Sequence, residues 1–300
     1  MSIVEKAVQK LATAQAQPVN PGESSSDFGT ARAEAVLERF QDRVRVAHTQ
    51  AADAPAWHIN PAELKRVGLL PAEAEAAGRL AEELRRIKRP LILNATGKGS
   101  QPMTHGTRIM VASAVPGEGK TFTALNLALS IAHEPDFNVL LVDSDVPKSD
   151  ITRILRLEDR PGLMDVLADE KMHPVDVIVR TDVPNLSVVP VGRRGPLVSE
   201  LFGSRRMEYV LNELSGHDSH RLLVFDSAPL LATAEAQVLA SHVGQVVLVV
   251  AAGRTQQTEL RSALQDMDGT QYVGLVLNMS RLPASESHYY RYYHDYSKAE

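Results

Sequence analysis

The sequence predicts an α/β protein whose mainly parallel sheet is covered by helices on both faces. Three observations predict it. From residue 108 onward, β-rich apolar runs alternate with helical patterns, as buried parallel strands joined by helices do. The first run, Arg108-Ile109-Met110-Val111-Ala112, leads into Val115-Pro116-Gly117-Glu118-Gly119-Lys120-Thr121 and then an alanine- and leucine-rich segment. A strand, a glycine turn ending in Gly-Lys-Thr and a helix make the setting of a phosphate-binding loop. Two later apolar runs end in carboxylates, Asp143-Ser144-Asp145 and Asp226, and ligands of such sheets lie at the carboxyl ends of strands.

The elements follow in order. In residues 1–14, Ile3, Val4, Ala7, Val8 and Leu11 share one helical face, and Ser2 with Glu5 makes a capping box. This is either a docking helix or an ordinary amphipathic one. Residues 15–70 form a linker and partly ordered extension: 15–30 are linker-like in composition, and 31–49 are helical in pattern but heavily charged. A P-loop domain is expected over 71–281. It opens with a helix over 72–89, where Pro71 precedes Leu80, Leu84 and Ile87 at helical spacing. Strand 108–113, helix 120–132 and strand 138–143 follow. A mixed region to about 220 holds helices near 162–170 and 197–215 and a strand near 186–191. Strand 221–226, helix 233–241, strand 245–251, helix 255–267 and strand 273–278 complete the domain. A flexible tail occupies 282–300.

Composition narrows the function. The 300 residues include no cysteine, which excludes disulfides, thiolate catalysis and zinc–sulfur sites and fits a reducing cytosol. A net charge of −5 argues against a nucleic-acid partner. No uncharged apolar run approaches the about 18–20 residues of a membrane span. Glu5 and Lys6 interrupt any apolar core of a signal peptide.

The chemistry expected at the loop is specific. Glycines let backbone N–H groups surround phosphate oxygens, and the helix beginning near Gly119 aims its positive end at the same anion. Pro116, Gly117, Glu118, Gly119, Lys120 and Thr121 form the phosphate cradle. Lys120 reaches the terminal phosphates, and the Thr121 hydroxyl is a ligand for Mg²⁺. The common pattern places glycine where this chain has Ala114. The bland alternative is a glycine-rich turn that binds nothing. Asp at a strand end is often a turn former or helix cap. Two such ends beside a Gly-Lys-Thr loop favour metal or catalytic duty for Asp143, Asp145 and Asp226. Asn278 ends the last strand on the binding edge, as an adenine contact or as a turn former.

On these residues the chain resembles the bacterial tyrosine autokinases of the polysaccharide-export type, in the P-loop class that includes the MinD and ParA ATPases. The resemblance rests on Pro116–Thr121, Asp143-Ser144-Asp145 and Asp226-Ser227-Ala228-Pro229, with smaller matches at Pro161–Leu167 and Thr233–Ala236. It covers roughly residues 80–280. Residues 82–90 and 2–11 are most similar to the subgroup linked to exosortase systems. The family often has Arg and Pro after the second Asp; here Val146-Pro147-Lys148 follows.

The resemblance implies an ATP- and Mg²⁺-dependent protein-tyrosine autokinase with Lys120, Asp143 and Asp145 catalytic. Asp143 is then the base or orienting group, and Thr121, Asp145 and Asp226 position the metal. It implies regulation of exopolysaccharide polymerisation and export, a cytoplasmic location peripheral to the inner membrane, and a separate membrane co-polymerase or chain-length regulator as partner. Trp57 and the 2–13 helix are candidate docking surfaces. A homo-oligomeric ring and a tyrosine phosphatase are further implied partners. The family's Glu-x-x-Arg-x-x-Arg assembly pattern fits two frames, Glu82/Arg85/Lys88 and Glu83/Arg86/Arg89. The rival is a MinD/ParA-like ATPase acting as a nucleotide-switched positioning module. Those proteins carry Lys where this chain has Val115.

Five of the seven tyrosines, Tyr289, Tyr290, Tyr292, Tyr293 and Tyr296, cluster at the end of the sequence. Phenols on a mobile tail can enter a phosphoryl-transfer site on a neighbouring subunit, so these are the expected phospho-acceptors. A membrane-interface patch or nucleic-acid stacking segment would need more cations than Arg291 and Lys298 supply.

Overall fold

The computed structural model describes residues 56–100, 102–195, 197–216, 220–267 and 272–280. The expected 2–13 helix, the linker that follows it and the tyrosine cluster lie outside the described residues. A seven-stranded sheet runs in the order β3-β4-β2-β5-β1-β6-β7. Its strands are β1 (Arg108–Ser113), β2 (Asn138–Ser144), β3 (Val179–Arg180), β4 (Leu186–Val189), β5 (Arg221–Ser227), β6 (Gln245–Ala251) and β7 (Tyr272–Asn278). All pairings are parallel except the short antiparallel edge pair β3–β4. The α/β class expected from the alternation is therefore the observed one.

Alternation along each strand explains why both faces are covered. In β2, Val139 and Leu141 join the apolar cluster on one face, while Leu140 and Val142 join the cluster on the other. The first face is covered by α1 (Pro61–Arg66), α2 (Ala74–Ala95), α3 (Lys120–Ala132) and α4 (Asp150–Ile154). The second is covered by α5 (Leu163–Ala168), α6 (Val198–Phe202), α7 (Arg205–Ser215), α8 (Ala234–Ala240) and α9 (Gln257–Gln265). Strands buried on both faces must read as continuous apolar runs, and these do.

Three differences from the sequence expectation have physical causes. The helix expected over 72–89 is α2, which begins at Ala74 and continues past residue 89, across Pro90, to Ala95. Proline costs one intrahelical hydrogen bond. Against that, Leu91 is fully buried, Lys88 anchors the turn before, and Asn94 donates to Gln245 at 3.0 Å. The segment expected as one helix over 197–215 is two. Ser204 separates them, its hydroxyl accepting from the Met207 N–H at 3.2 Å as an N-cap. The packed unit also begins ahead of residue 71. Ile59, Leu64 and Leu69 are buried with α2 and α3, and Asn126 donates to the Leu69 carbonyl at 2.7 Å.

Trp57 belongs to this same packing. Its backbone bridges to Thr181 beside β3, its indole N–H donates to the Leu155 carbonyl at 2.8 Å, and the Arg160 guanidinium lies 5.2 Å from its ring centre. The ring is thus engaged by the chain's own edge. No helix among the described residues is long and apolar enough to cross a membrane.

Candidate active site

The site is assembled where the strand order places three loops side by side. β5 lies between β2 and β1, so the turn after β1 and the ends of β2 and β5 share one edge. Register makes this exact in kind: Asp143 of β2 is the cross-strand partner of Asp226 of β5. Ser144 donates to the Asp226 carbonyl at 2.7 Å, and Ser227 donates to the Val111 carbonyl at 3.0 Å. These bonds lock the three strand ends together.

The loop between β1 and α3 is held open by its own side chains. Gly117 and Gly119 have φ of 84° and 93°, the left-handed region that glycine enters without strain. A Cβ at 119 would sit 2.0 Å from Asn278 Nδ2. Ala114, where the common pattern has glycine, does not have a positive φ, so the loop needs no glycine there. The buried Glu118 carboxylate accepts from the Val115 N–H at 2.8 Å and from the Thr255 hydroxyl. Asn278 donates to the Glu118 carbonyl at 2.8 Å. Asn278 is therefore a brace for the loop backbone, and Glu118 points inward as a second brace.

Around this loop the structure gathers Lys120, Asp143, Asp145 and Asp226, all buried. Lys120 Nζ lies 2.9 Å from Asp145 Oδ2. Asp143 Oδ2 accepts from both the N–H (2.8 Å) and the hydroxyl (2.7 Å) of Thr152. Among the described residues, Asp143 Oδ1 and both oxygens of Asp226 have no hydrogen-bond partner of good geometry. Burial pushes the Asp143 carboxyl up to about 6, opposed by its Thr152 bonds. Burial, then the Asp143 charge, raises Asp226 well above the usual carboxylate range, with Lys120 and Thr121 opposing.

Lys120 pairs with Asp145, while Asp143 and Asp226 crowd beside them, each raised by burial and with buried oxygens lacking donors. Such a site fits a cation. No three described acidic or histidine side chains converge closely enough to cage an ion. Mg²⁺ does not require a cage, because it keeps waters and takes one or two carboxylates together with substrate phosphates. The donor set therefore fits Mg²⁺ bound with a nucleotide.

Two residues were not legible as site residues. Thr152 reaches Asp143 from α4, and its hydroxyl also accepts from the Val191 N–H at 2.9 Å. Arg254 follows β6, and a Cβ at Gly117 would lie 3.7 Å from its Nη2. Its position just past an apolar strand was the available signal. Of the expected assembly residues, Glu82 and Arg85 pair with each other on the exposed side of α2. Lys88 does not share that face. It is buried, donating to the Ser130 carbonyl and pairing with Glu134, each at 2.7 Å.

A glycine loop at the first strand–helix junction of a parallel sheet, with acidic ends on the neighbouring strands, defines a P-loop protein of the nucleotide-binding class. No protein-family model matches the chain. It is 31% identical over 187 residues to tyrosine-protein kinase YwqD of Bacillus subtilis (strain 168), covering 62% of this chain and 76% of that one. It is 30% identical over 189 residues to the putative tyrosine-protein kinase CapB of Staphylococcus aureus, covering 62% and 81%. The kinase domain of the Escherichia coli tyrosine kinase ETK superposes with a TM-score of 0.54 at 29% identity, covering 59% of this chain and 69% of that one. The chain belongs to the bacterial tyrosine-protein kinases.

Proposed function

We propose that the chain is an ATP- and Mg²⁺-dependent autokinase that phosphorylates tyrosines of its own C-terminal cluster, between subunits, and so regulates exopolysaccharide polymerisation and export. The observation that supports this best is the convergence of Lys120 with three buried carboxylates, two of which carry partnerless oxygens. The 117–121 backbone and Lys120 hold the β- and γ-phosphates. Thr121, Asp145 and Asp226 would hold Mg²⁺, which would supply charge neutralisation to the phosphates. Asp143 accepts the phenol proton as the tyrosine oxygen bonds to the γ-phosphorus and the bond to the β-phosphate oxygen breaks, releasing ADP. With its carboxyl near 6, Asp143 is ionised at neutral pH and basic enough to take that proton. The rest of catalysis is positioning and charge stabilisation.

Assembly and location belong to the same reading. The side chains of Glu83, Arg86 and Arg89 all lie on the exposed side of α2, whereas the Glu82/Arg85/Lys88 frame includes a buried lysine. Exposure favours the former as the subunit contact. Docking to a separate inner-membrane chain-length regulator falls to surfaces other than the engaged Trp57. The test is incubation of the purified chain with Mg-ATP and mapping of phosphotyrosine by mass spectrometry. Phosphate on residues 289–296 that vanishes in Lys120→Met is the expected result; unlabelled tyrosines in the active chain would refute the reading.

A further inference from the structure

A basic rim borders the site on the side away from the phosphate loop. Lys148 follows Asp145 by three residues, and its N–H donates to Asp145 Oδ1 at 3.2 Å. Arg193 and Arg194 follow β4, the strand next to β2. All three side chains are exposed. The Arg194 guanidinium crosses to the first loop, its Nη2 donating to the Ser149 hydroxyl at 2.9 Å. That partner is neutral, so the arginine keeps its full charge.

The rim is built rather than incidental. The buried Asp165 carboxylate clamps its base, accepting from the N–H groups of Gly162 (2.9 Å) and Arg193 (3.1 Å) and from Arg193 Nε (2.9 Å). A Cβ on Gly192, whose φ is 77°, would meet Asp165 Oδ2 at 2.2 Å, so only glycine permits the clamp. The start of the same loop is tied to Asp143 through the bond from Val191 to Thr152. The arginines therefore stand at a fixed position relative to the base assigned to the incoming phenol.

We propose that Lys148, Arg193 and Arg194 form a phosphotyrosine-binding rim that holds the tail of a second copy once one of its tyrosines is phosphorylated. This rests on the autokinase reading above. The unmodified tail has little to offer such a rim. Across residues 282–300, Arg291 and Lys298 nearly balance Glu286, Asp295 and Glu300. Each phosphate adds about 1.5–2 negative charges and acceptor oxygens suited to arginine. Clustered tyrosines put the two requirements within reach of each other. At about 3.3–3.6 Å per residue, a phosphotyrosine two or three positions from the acceptor lies only about 7–11 Å away. The first phosphate thus primes the next, and labelling of a given tail proceeds in runs.

The test uses the full chain without ATP and a fluorescent peptide of residues 284–300, unmodified or phosphorylated at Tyr292. Polarisation titrations should give about tenfold or tighter binding of the phosphopeptide. Free phosphotyrosine should compete weakly. Arg194→Ala should abolish the preference, Arg194→Lys should keep part of it, and the ATP dissociation constant should be unchanged in both. Equal affinity for the two peptides would overturn the proposal, as would a preference that survives Arg194→Ala. A raised ATP dissociation constant in Arg194→Ala would assign the guanidinium to the nucleotide and overturn it equally. Because these titrations contain no ATP, a failure of the autokinase reading appears separately, as absence of phosphotyrosine after incubation with Mg-ATP.

Discussion

In the proposed reaction, Asp143 favours chemistry at the expense of stability. Burial raises its carboxyl from 3.8 to about 6 in the folded chain. The folded state therefore binds the proton more tightly than the unfolded chain. Its stabilising effect is complete below about 4 and is lost as the pH rises through 6. The shift of about two units corresponds to a cost on the order of 3 kcal/mol at neutral pH. Asp143→Asn removes that cost and keeps the shape. In the nucleotide-free protein, the variant should melt several degrees above the native chain at pH 7.5, with the gap closing toward pH 4. Phosphotyrosine formation should disappear while ATP binding persists. An unchanged melting temperature at pH 7.5 would contradict the burial argument, and retained transfer would contradict the role of base. Thr152 carries the opposing effect. Thr152→Val keeps the volume but removes the hydroxyl donor, so the Asp143 carboxyl should rise further. The acid limb of the activity profile should then move to higher pH, with the ATP dissociation constant little changed.

At the scale of elements, six strands and the two acidic ends were legible because continuous apolar runs and terminal carboxylates are local signals, whereas the two-residue edge strand β3 carries no such run. Helix α2 was legible only in part. Its apolar spacing announced a helix after Pro71, but Pro90 reads as a stop, and only the contacts of Lys88, Leu91 and Asn94 with distant residues carry the helix onward. Thr152 was missed because its partners, Asp143 and the Val191 N–H, lie across the fold and nothing in its own neighbourhood marks it; for Arg254 the one local signal was its place just past an apolar strand. The Glu118 and Asn278 braces also went unread, since a motif identifies the loop without showing what supports it. The anchoring of α2 on α3 gives a prediction. Lys88→Met removes the bonds to Ser130 and Glu134 at the end of α3. It should lower stability by about 1–3 kcal/mol in a denaturant titration, with particle size unchanged in light scattering. The triple variant Glu83→Ala, Arg86→Ala, Arg89→Ala should do the reverse, shrinking the assembly while the denaturation midpoint stays nearly constant. Smaller particles from Lys88→Met at full stability would return the assembly contact to the other frame.

For the whole molecule, the carboxyl ends of neighbouring strands gather Lys120, Asp143, Asp145 and Asp226, the charged groups of the proposed reaction, while the tyrosine cluster follows the last strand, β7, by eleven residues. β7 is an edge strand, four positions from β2 in the sheet order, and the Asp143 end of β2 lies beyond β5, β1 and β6. Neighbouring strands are about 4.8 Å apart, so the span from β7 to β2 is roughly 19 Å. A chain of eleven residues can stretch about 36–40 Å. Length alone therefore permits transfer within a subunit, and the proposed preference for a neighbour needs another source. Closing a tail onto its own site fixes many backbone angles, whereas an assembled neighbour presents its tail at high effective concentration. Two defective chains separate the alternatives. One carries Lys120→Met and an intact tail; the other keeps Lys120 and lacks residues 282–300. Neither should label itself. Mixed with Mg-ATP, they should place phosphate on the tail of the first at a rate that rises with total concentration. The alanine variant of Glu83, Arg86 and Arg89 introduced into both chains should slow that rate. No labelling in the mixture, with the native chain labelled normally at a rate independent of concentration, would establish transfer within the subunit.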